Sequence, residues 1–125
     1  LQLANALENN EQVEMVKYPF LASHPKFDIA KKQMRLGGGL VTFIVKGGVE
    51  QGRKFMDALE MLSITANLGD TRSIATHPAS STHAKLSEEE RLESGILPGL
   101  VRISVGLEHV DDIIADVEQA LKASA

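Results

Sequence analysis

The run Leu40-Val41-Thr42-Phe43-Ile44-Val45 constrains the fold more than any other stretch of the chain. It is β-branched and aromatic, and nearly apolar on both faces, which is the pattern of a strand in the centre of a sheet rather than at a wet edge. Gly37-Gly38-Gly39 before it and Gly47-Gly48 after it mark turns. The remaining sequence must then supply flanking strands and covering helices. A chain of 125 residues with 43% hydrophobic content has enough apolar material for one such core.

Flanking strands are legible on both sides. Val13 to Tyr18 alternates apolar and polar residues and stops at Pro19, and Leu100 to Val105 is a second β-prone run. Helical spacing appears at Leu1, Leu3, Ala4 and Leu7. Ser23 before His24-Pro25 predicts a capped helix reaching about Arg35. Phe55, Met56, Leu59 and Leu62 predict a helix over 49–62. Ser87 with Glu90 forms a capping-box pattern for a helix ending near Gly95. Val110, Ile113, Ile114, Val117 and Leu121 define a strongly amphipathic last helix, with Asp111 and Asp112 in its first turn and Lys122 in its last. Between them, 63–84 is rich in Ser, Thr, Ala and Gly, with β-prone pieces at 63–65 and 73–76. A loop of that length in a compact domain is usually functional or disordered. The class is α+β: one small sheet with helices packed mainly on one face.

Several chemistries find no support. The chain has no cysteine, so disulfides, thiolate metal sites and a cysteine nucleophile are absent. A net charge of −4 with scattered basic residues gives nothing suited to nucleic acid or an anionic membrane, and no apolar run is long enough to span a bilayer. His77 and His83 do not have a metal-ligand spacing, so no metal is expected. Ser80-Ser81-Thr82 lacks a nucleophile elbow, and the acidic residues show no paired general acid and base. The cytoplasm is the default compartment.

One strand residue stands out. Side chains alternate across a strand, so Val101, Ile103 and Val105 share the core face while Leu100, Arg102 and Ser104 share the other. Arg102 is thereby fixed on a rigid element and turned away from the core. Two readings fit it: an ordinary exposed or salt-bridged strand arginine, or a bidentate receptor for a carboxylate.

The segment 66–83, Ala-Asn-Leu-Gly-Asp-Thr-Arg-Ser-Ile-Ala-Thr-His-Pro-Ala-Ser-Ser-Thr-His, resembles the substrate loop of the Cys/Met metabolism family of pyridoxal-phosphate enzymes. Leu100 to Glu108 resembles that family's carboxylate-binding strand, and His109 to Ala123 its last helix. Tyr18-Pro19, Ser23-His24-Pro25, Gln33-Met34 and 37–48 also fit, so the resemblance covers nearly the whole chain. It implies the small C-terminal domain of the type I, aspartate-aminotransferase-like fold, with pyridoxal 5'-phosphate as cofactor. It gives Arg102 the role of binding the substrate α-carboxylate. Asn67 and Leu68 would lie beside cofactor and substrate. Thr82 would lie near the cofactor lysine and the substrate carboxylate, or serve only as a capping or loop hydroxyl.

Within the family, Asn67 with Leu68-Gly69-Asp70 looks more like the O-succinylhomoserine and O-acetylhomoserine sulfhydrylases than the lyases. This implies γ-replacement that gives homocysteine from an O-acylhomoserine and sulfide; a cystathionine γ-synthase or γ-lyase is the alternative. No lysine of the chain sits in the context of the Schiff-base lysine, so no catalytic or cofactor-binding residue is assigned. The resemblance therefore implies that residues 1–12 end a helix linking to a missing large, cofactor-binding N-terminal domain. Residues 13–125 would form the substrate-side domain, inactive alone and part of a homotetramer when full-length. A stand-alone, non-catalytic α+β binding module is the competing expectation.

Overall fold

The computed structural model describes residues 1–65, 68–81 and 83–125. Among the described residues, five strands form one sheet: β1 (Val13–Lys17), β2 (Leu40–Val45), β3 (Ser63–Ile64), β4 (Ile74–Thr76) and β5 (Leu100–Ser104). Their order is β1-β2-β5-β4-β3, antiparallel except for the parallel β3–β4 pair. The apolar run Leu40–Val45 is paired on both sides, as its composition requires. The α-helices of the described residues are α1 (Gln2–Glu8), α2 (Phe27–Gln33), α3 (Val49–Ala58), α4 (Glu88–Glu93) and α5 (Val110–Ser124), with a short 3-10 turn at Pro78–Ser80.

Val41, Phe43, Val45, Ala75, Val101 and Ile103 line one face of the sheet and are almost fully buried. Leu3 and Leu7 of α1, Phe55 and Met56 of α3, and Ile113, Val117 and Leu121 of α5 complete this core. Phe43 and Phe55 meet edge to face with ring centroids 5.5 Å apart, an arrangement worth about 1 kcal/mol beyond the area it buries. Because Leu3, Ala4 and Leu7 belong to the same core, α1 is packed as an integral part of the domain.

Three local expectations are corrected. Val13 to Tyr18 does not alternate regularly, because β1 is bulged between Val13 and Met15. The extra residue brings Val13 and Val16 to the core face together and leaves Met15 46% exposed. Ser23 does not cap α2: its hydroxyl donates to Glu8 Oε2 at 2.6 Å, and the helix begins four residues later at Phe27. The third helix stops at Ala58 rather than Leu62. There the Asp116 carboxylate of α5 accepts the backbone N–H groups of Glu60, Met61 and Leu62 at 2.9, 2.9 and 3.0 Å, and Gln119 Nε2 donates to Ala58 O at 2.6 Å. The Ser87 capping box forms as expected: Ser87 Oγ accepts from Glu90 N, and Glu90 Oε2 from Ser87 N. Among the described residues no helix is long and apolar enough to cross a membrane.

Candidate functional site

The face of the sheet opposite the core carries the polar row. Residues paired across strands point to the same side, and Thr42 on β2, Arg102 on β5 and Thr76 on β4 lie side by side. The next row is Leu40, Ser104 and Ile74. Val101 and Ile103 are fully buried on the other side, so the alternation that turned Arg102 away from the core holds. Arg102 is half-buried, and its strand neighbours fix its Cα on three central strands. Thr76 is itself held, its hydroxyl donating to Thr65 O.

The loop before β4 crosses this face. Gly69 N donates to Ser104 Oγ at 3.2 Å, which places the exposed Leu68 next to the Arg102 strand. Asp70 turns the loop by accepting the backbone N–H and the guanidinium of Arg72. Those hydrogen bonds hold the Asp70 carboxyl down at about 2. Arg72 is thus engaged by an adjacent carboxylate. Arg91 is engaged as well, donating to Leu86 O at 2.6 Å and His83 O at 3.3 Å. Asn67 and Thr82, both expected near substrate, lie outside the described residues.

His77 is a structural residue. It is only 2% exposed; Nε2 lies 2.7 Å from Pro98 O and Nδ1 2.7 Å from Ser80 Oγ. A carbonyl only accepts, so Nε2 carries the proton and Nδ1 accepts from Ser80. Burial first, together with the nearby Arg53 charge, pushes its pKa down against the opposing pull of Pro98 O. Ser80 and His77 do not make a nucleophile pair, since the outer ring nitrogen faces a backbone carbonyl instead of a carboxylate.

Gly52 of α3 makes this arrangement fit: a Cβ there would lie 2.5 Å from His77 Nε2. Gly52→Ala gains about 1 kcal/mol of helix propensity but overpacks the ring and breaks the Pro98 bond, a loss of about 2–4 kcal/mol. A net destabilisation of about 2 kcal/mol is therefore expected in chemical unfolding of the protein. His77→Gln should partly relieve the penalty, because the shorter side chain leaves room for the new methyl.

Sequence reasoning missed Ser73 and Glu108. Glu108 Oε2 accepts from Ser73 N and Oε1 from Ser73 Oγ, both at 2.8 Å, and Ser73 Oγ accepts from Gly106 N at 2.9 Å. The only signal available was position: a carboxylate just past the end of the Arg102 strand. Among the described residues no cluster of three His, Asp or Glu could hold a metal ion.

The fold and this face define an α+β domain whose central strand carries a half-buried arginine on the face opposite the core. A sequence model described as "Cys/Met metabolism PLP-dependent enzyme" matches residues 1–122. The chain is 53% identical over 123 residues to the L-methionine γ-lyase of Pseudomonas putida, covering 98% of this chain and 31% of that protein. It is 47% identical over 124 residues to the O-acetyl-L-homoserine sulfhydrylase of Leptospira meyeri, covering 98% and 28%. A crystal structure of an O-acetylhomoserine (thiol)-lyase from Campylobacter jejuni superposes with a TM-score of 0.88 at 40% identity, over 97% of this chain and 29% of that one. That structure carries a pyridoxyl-lysine monophosphate. The chain belongs to the Cys/Met metabolism family of pyridoxal-phosphate-dependent enzymes, and spans about three-tenths of the length of these relatives.

Lys17 shares the polar row through its pairing with Thr42, but it stands two strands from Arg102 and is exposed. Lys17 instead lines a separate pocket with Glu8, Val16 and His24.

Proposed function

We propose that this chain is the substrate-side portion of a larger pyridoxal-phosphate enzyme and that Arg102 holds the α-carboxylate of its amino-acid substrate. The supporting observation is the position of Arg102 in the row Thr42–Arg102–Thr76, on the sheet face opposite the core. Bound to the rest of the enzyme, the cofactor supplies the electron sink for carbanion chemistry. The contribution of this chain is orientation: a guanidinium fixed on a central strand grips a carboxylate through two parallel hydrogen bonds and sets the direction of the side chain that reacts. Asn67, Leu68 and Thr82 complete the substrate surface in this reading.

The reaction is γ-replacement: the γ-carbon–oxygen bond of an O-acylhomoserine breaks with the carboxylate as leaving group, sulfide adds at the γ-carbon, and homocysteine and the free acid result. The Asn67-Leu68-Gly69-Asp70 loop and the O-acetyl-L-homoserine sulfhydrylase relative support it. The 53% identity to a methionine γ-lyase favours a second reading, cleavage of the γ-carbon–sulfur bond of methionine. A cytoplasmic homotetramer belongs to either version.

Product analysis of the full-length enzyme decides between them. Homocysteine formed from O-acetyl- or O-succinylhomoserine with sulfide, and little 2-oxobutanoate from methionine, is the expected result. Rapid release of 2-oxobutanoate and methanethiol from methionine, without homocysteine formation, selects the lyase.

A further inference from the structure

The loop that crosses the Arg102 face is tied to β5 at its far end by a compact set of bonds. Ser73 immediately precedes β4, and Gly106 to Glu108 follow β5 after Val105. Glu108 takes both the amide and the hydroxyl of Ser73, while the same hydroxyl accepts from Gly106 N. Leu107 N donates to Thr71 O at 2.9 Å. Any Cβ on Gly106 would collide with Thr71 O and the Arg72 carbonyl carbon, so the two segments touch backbone to backbone. Burial opposes ionisation of Glu108, but the Ser73 hydrogen bonds outweigh it and hold the carboxyl below its ordinary value. The ladder continues inward from there: Ser104 opposite Ile74, then Arg102 opposite Thr76. A carboxylate that receives two hydrogen bonds from one residue specifies both position and direction, which a purely apolar contact would not.

We propose that Glu108 is a positioning residue for the substrate carboxylate site. Through Ser73 it locks the loop 68–73 onto the end of β5, so that the loop backbone and Arg102 present one fixed receptor. This rests on the carboxylate role of Arg102. The chemistry of the clasp explains why both partners are polar: Glu108 sits at a partly exposed strand end, where water competes with any single neutral bond, and the paired charge-assisted bonds resist that competition.

The test uses the full-length holoenzyme. Glu108→Gln keeps the shape but turns an N–H₂ toward one of the two Ser73 donors. It is expected to raise the KM for the amino-acid substrate about tenfold, as displaced positioning groups do, with kcat and the cofactor absorbance nearly unchanged. Ser73→Ala should do the same, and Ser73→Thr should restore binding because it keeps the hydroxyl; these variants answer the question if Glu108→Gln does not fold. In an Arg102→Lys background, Glu108→Gln should add no further loss, since both act on one interaction. An unchanged KM for Glu108→Gln and Ser73→Ala, or losses that multiply with Arg102→Lys, overturns the proposal. A normal KM for Arg102→Lys alone overturns the carboxylate reading, and this proposal with it.

Discussion

Arg102→Ala in the full-length enzyme is expected to lower kcat/KM for the amino-acid substrate at least a hundredfold while leaving the cofactor absorbance intact. Truncating one partner of a desolvated, hydrogen-bonded charge pair costs about 2–5 kcal/mol, and each 1.4 kcal/mol is about a factor of ten. The loss should fall on KM when the grip is equal in ground and transition states. It should fall on kcat as well if the carboxylate also aims the reacting bonds. Arg102→Lys keeps the charge but loses the planar fork, so it should recover only part of the activity. Arg72 cannot substitute, because its guanidinium is taken by Asp70 at 3.2 Å. Steady-state kinetics that stay normal in Arg102→Ala would sink the assignment. Loss of cofactor absorbance would instead point to a structural collapse of the site.

The features of this domain that could be read in the sequence are the ones set by short-range period. β2 was visible because six consecutive residues had to be strand-like on two faces. α5 was visible because its stripe repeats every three to four residues across fifteen positions. The orientation of Arg102 followed from a period of two over five residues.

What could not be read depends on partners distant in the chain. The end of α3 is set by Asp116, 54 to 56 residues away. The Glu108–Ser73 bonds span 35 residues. The β1 bulge is a property of its pairing with β2, and no residue type announces it. Ser23 looked like a helix cap because serine and proline had the right spacing, yet its hydroxyl found a stronger acceptor in Glu8. In each case a charged acceptor elsewhere in the fold, or a register defined between strands, outranked the local preference. The family resemblance supplied the meaning of Arg102; the strand geometry supplied only its direction.

Asp116 is the second position where a large effect is expected. It is 7% exposed and stands under the segment where α3 gives way to β3. Its two oxygens serve three backbone N–H groups and Gln119 Nε2, the latter at 3.0 Å. Asp116→Ala leaves those donors facing a hole that the shortened side chain cannot fill. Since a buried donor left unpaired costs about 1–3 kcal/mol, and some of the three can turn toward water at the edge, a destabilisation of about 3 kcal/mol is expected.

Asp116→Asn is nearly isosteric but points an amide hydrogen at one of the same donors, so it should be only slightly milder. The charge adds a pH dependence. Burial raises the pKa of Asp116, but the Glu60, Leu62 and Met61 amides outweigh it and leave the carboxyl below its ordinary value. A depressed folded value means that the unfolded chain binds the proton more readily. The stability contributed by Asp116 is therefore complete above the ordinary aspartate pKa of about 4. It is lost as pH falls through the lower folded value.

Urea unfolding of the full-length enzyme and the Asn variant between neutral pH and about pH 3 should show their difference shrink toward the acid end. Amide hydrogen exchange at Glu60, Met61 and Leu62 should accelerate in Asp116→Ala more than exchange at Phe43 or Ile103, which are protected by the sheet. Equal acceleration throughout would show that Asp116 acts on the whole domain rather than on the turn that ends α3.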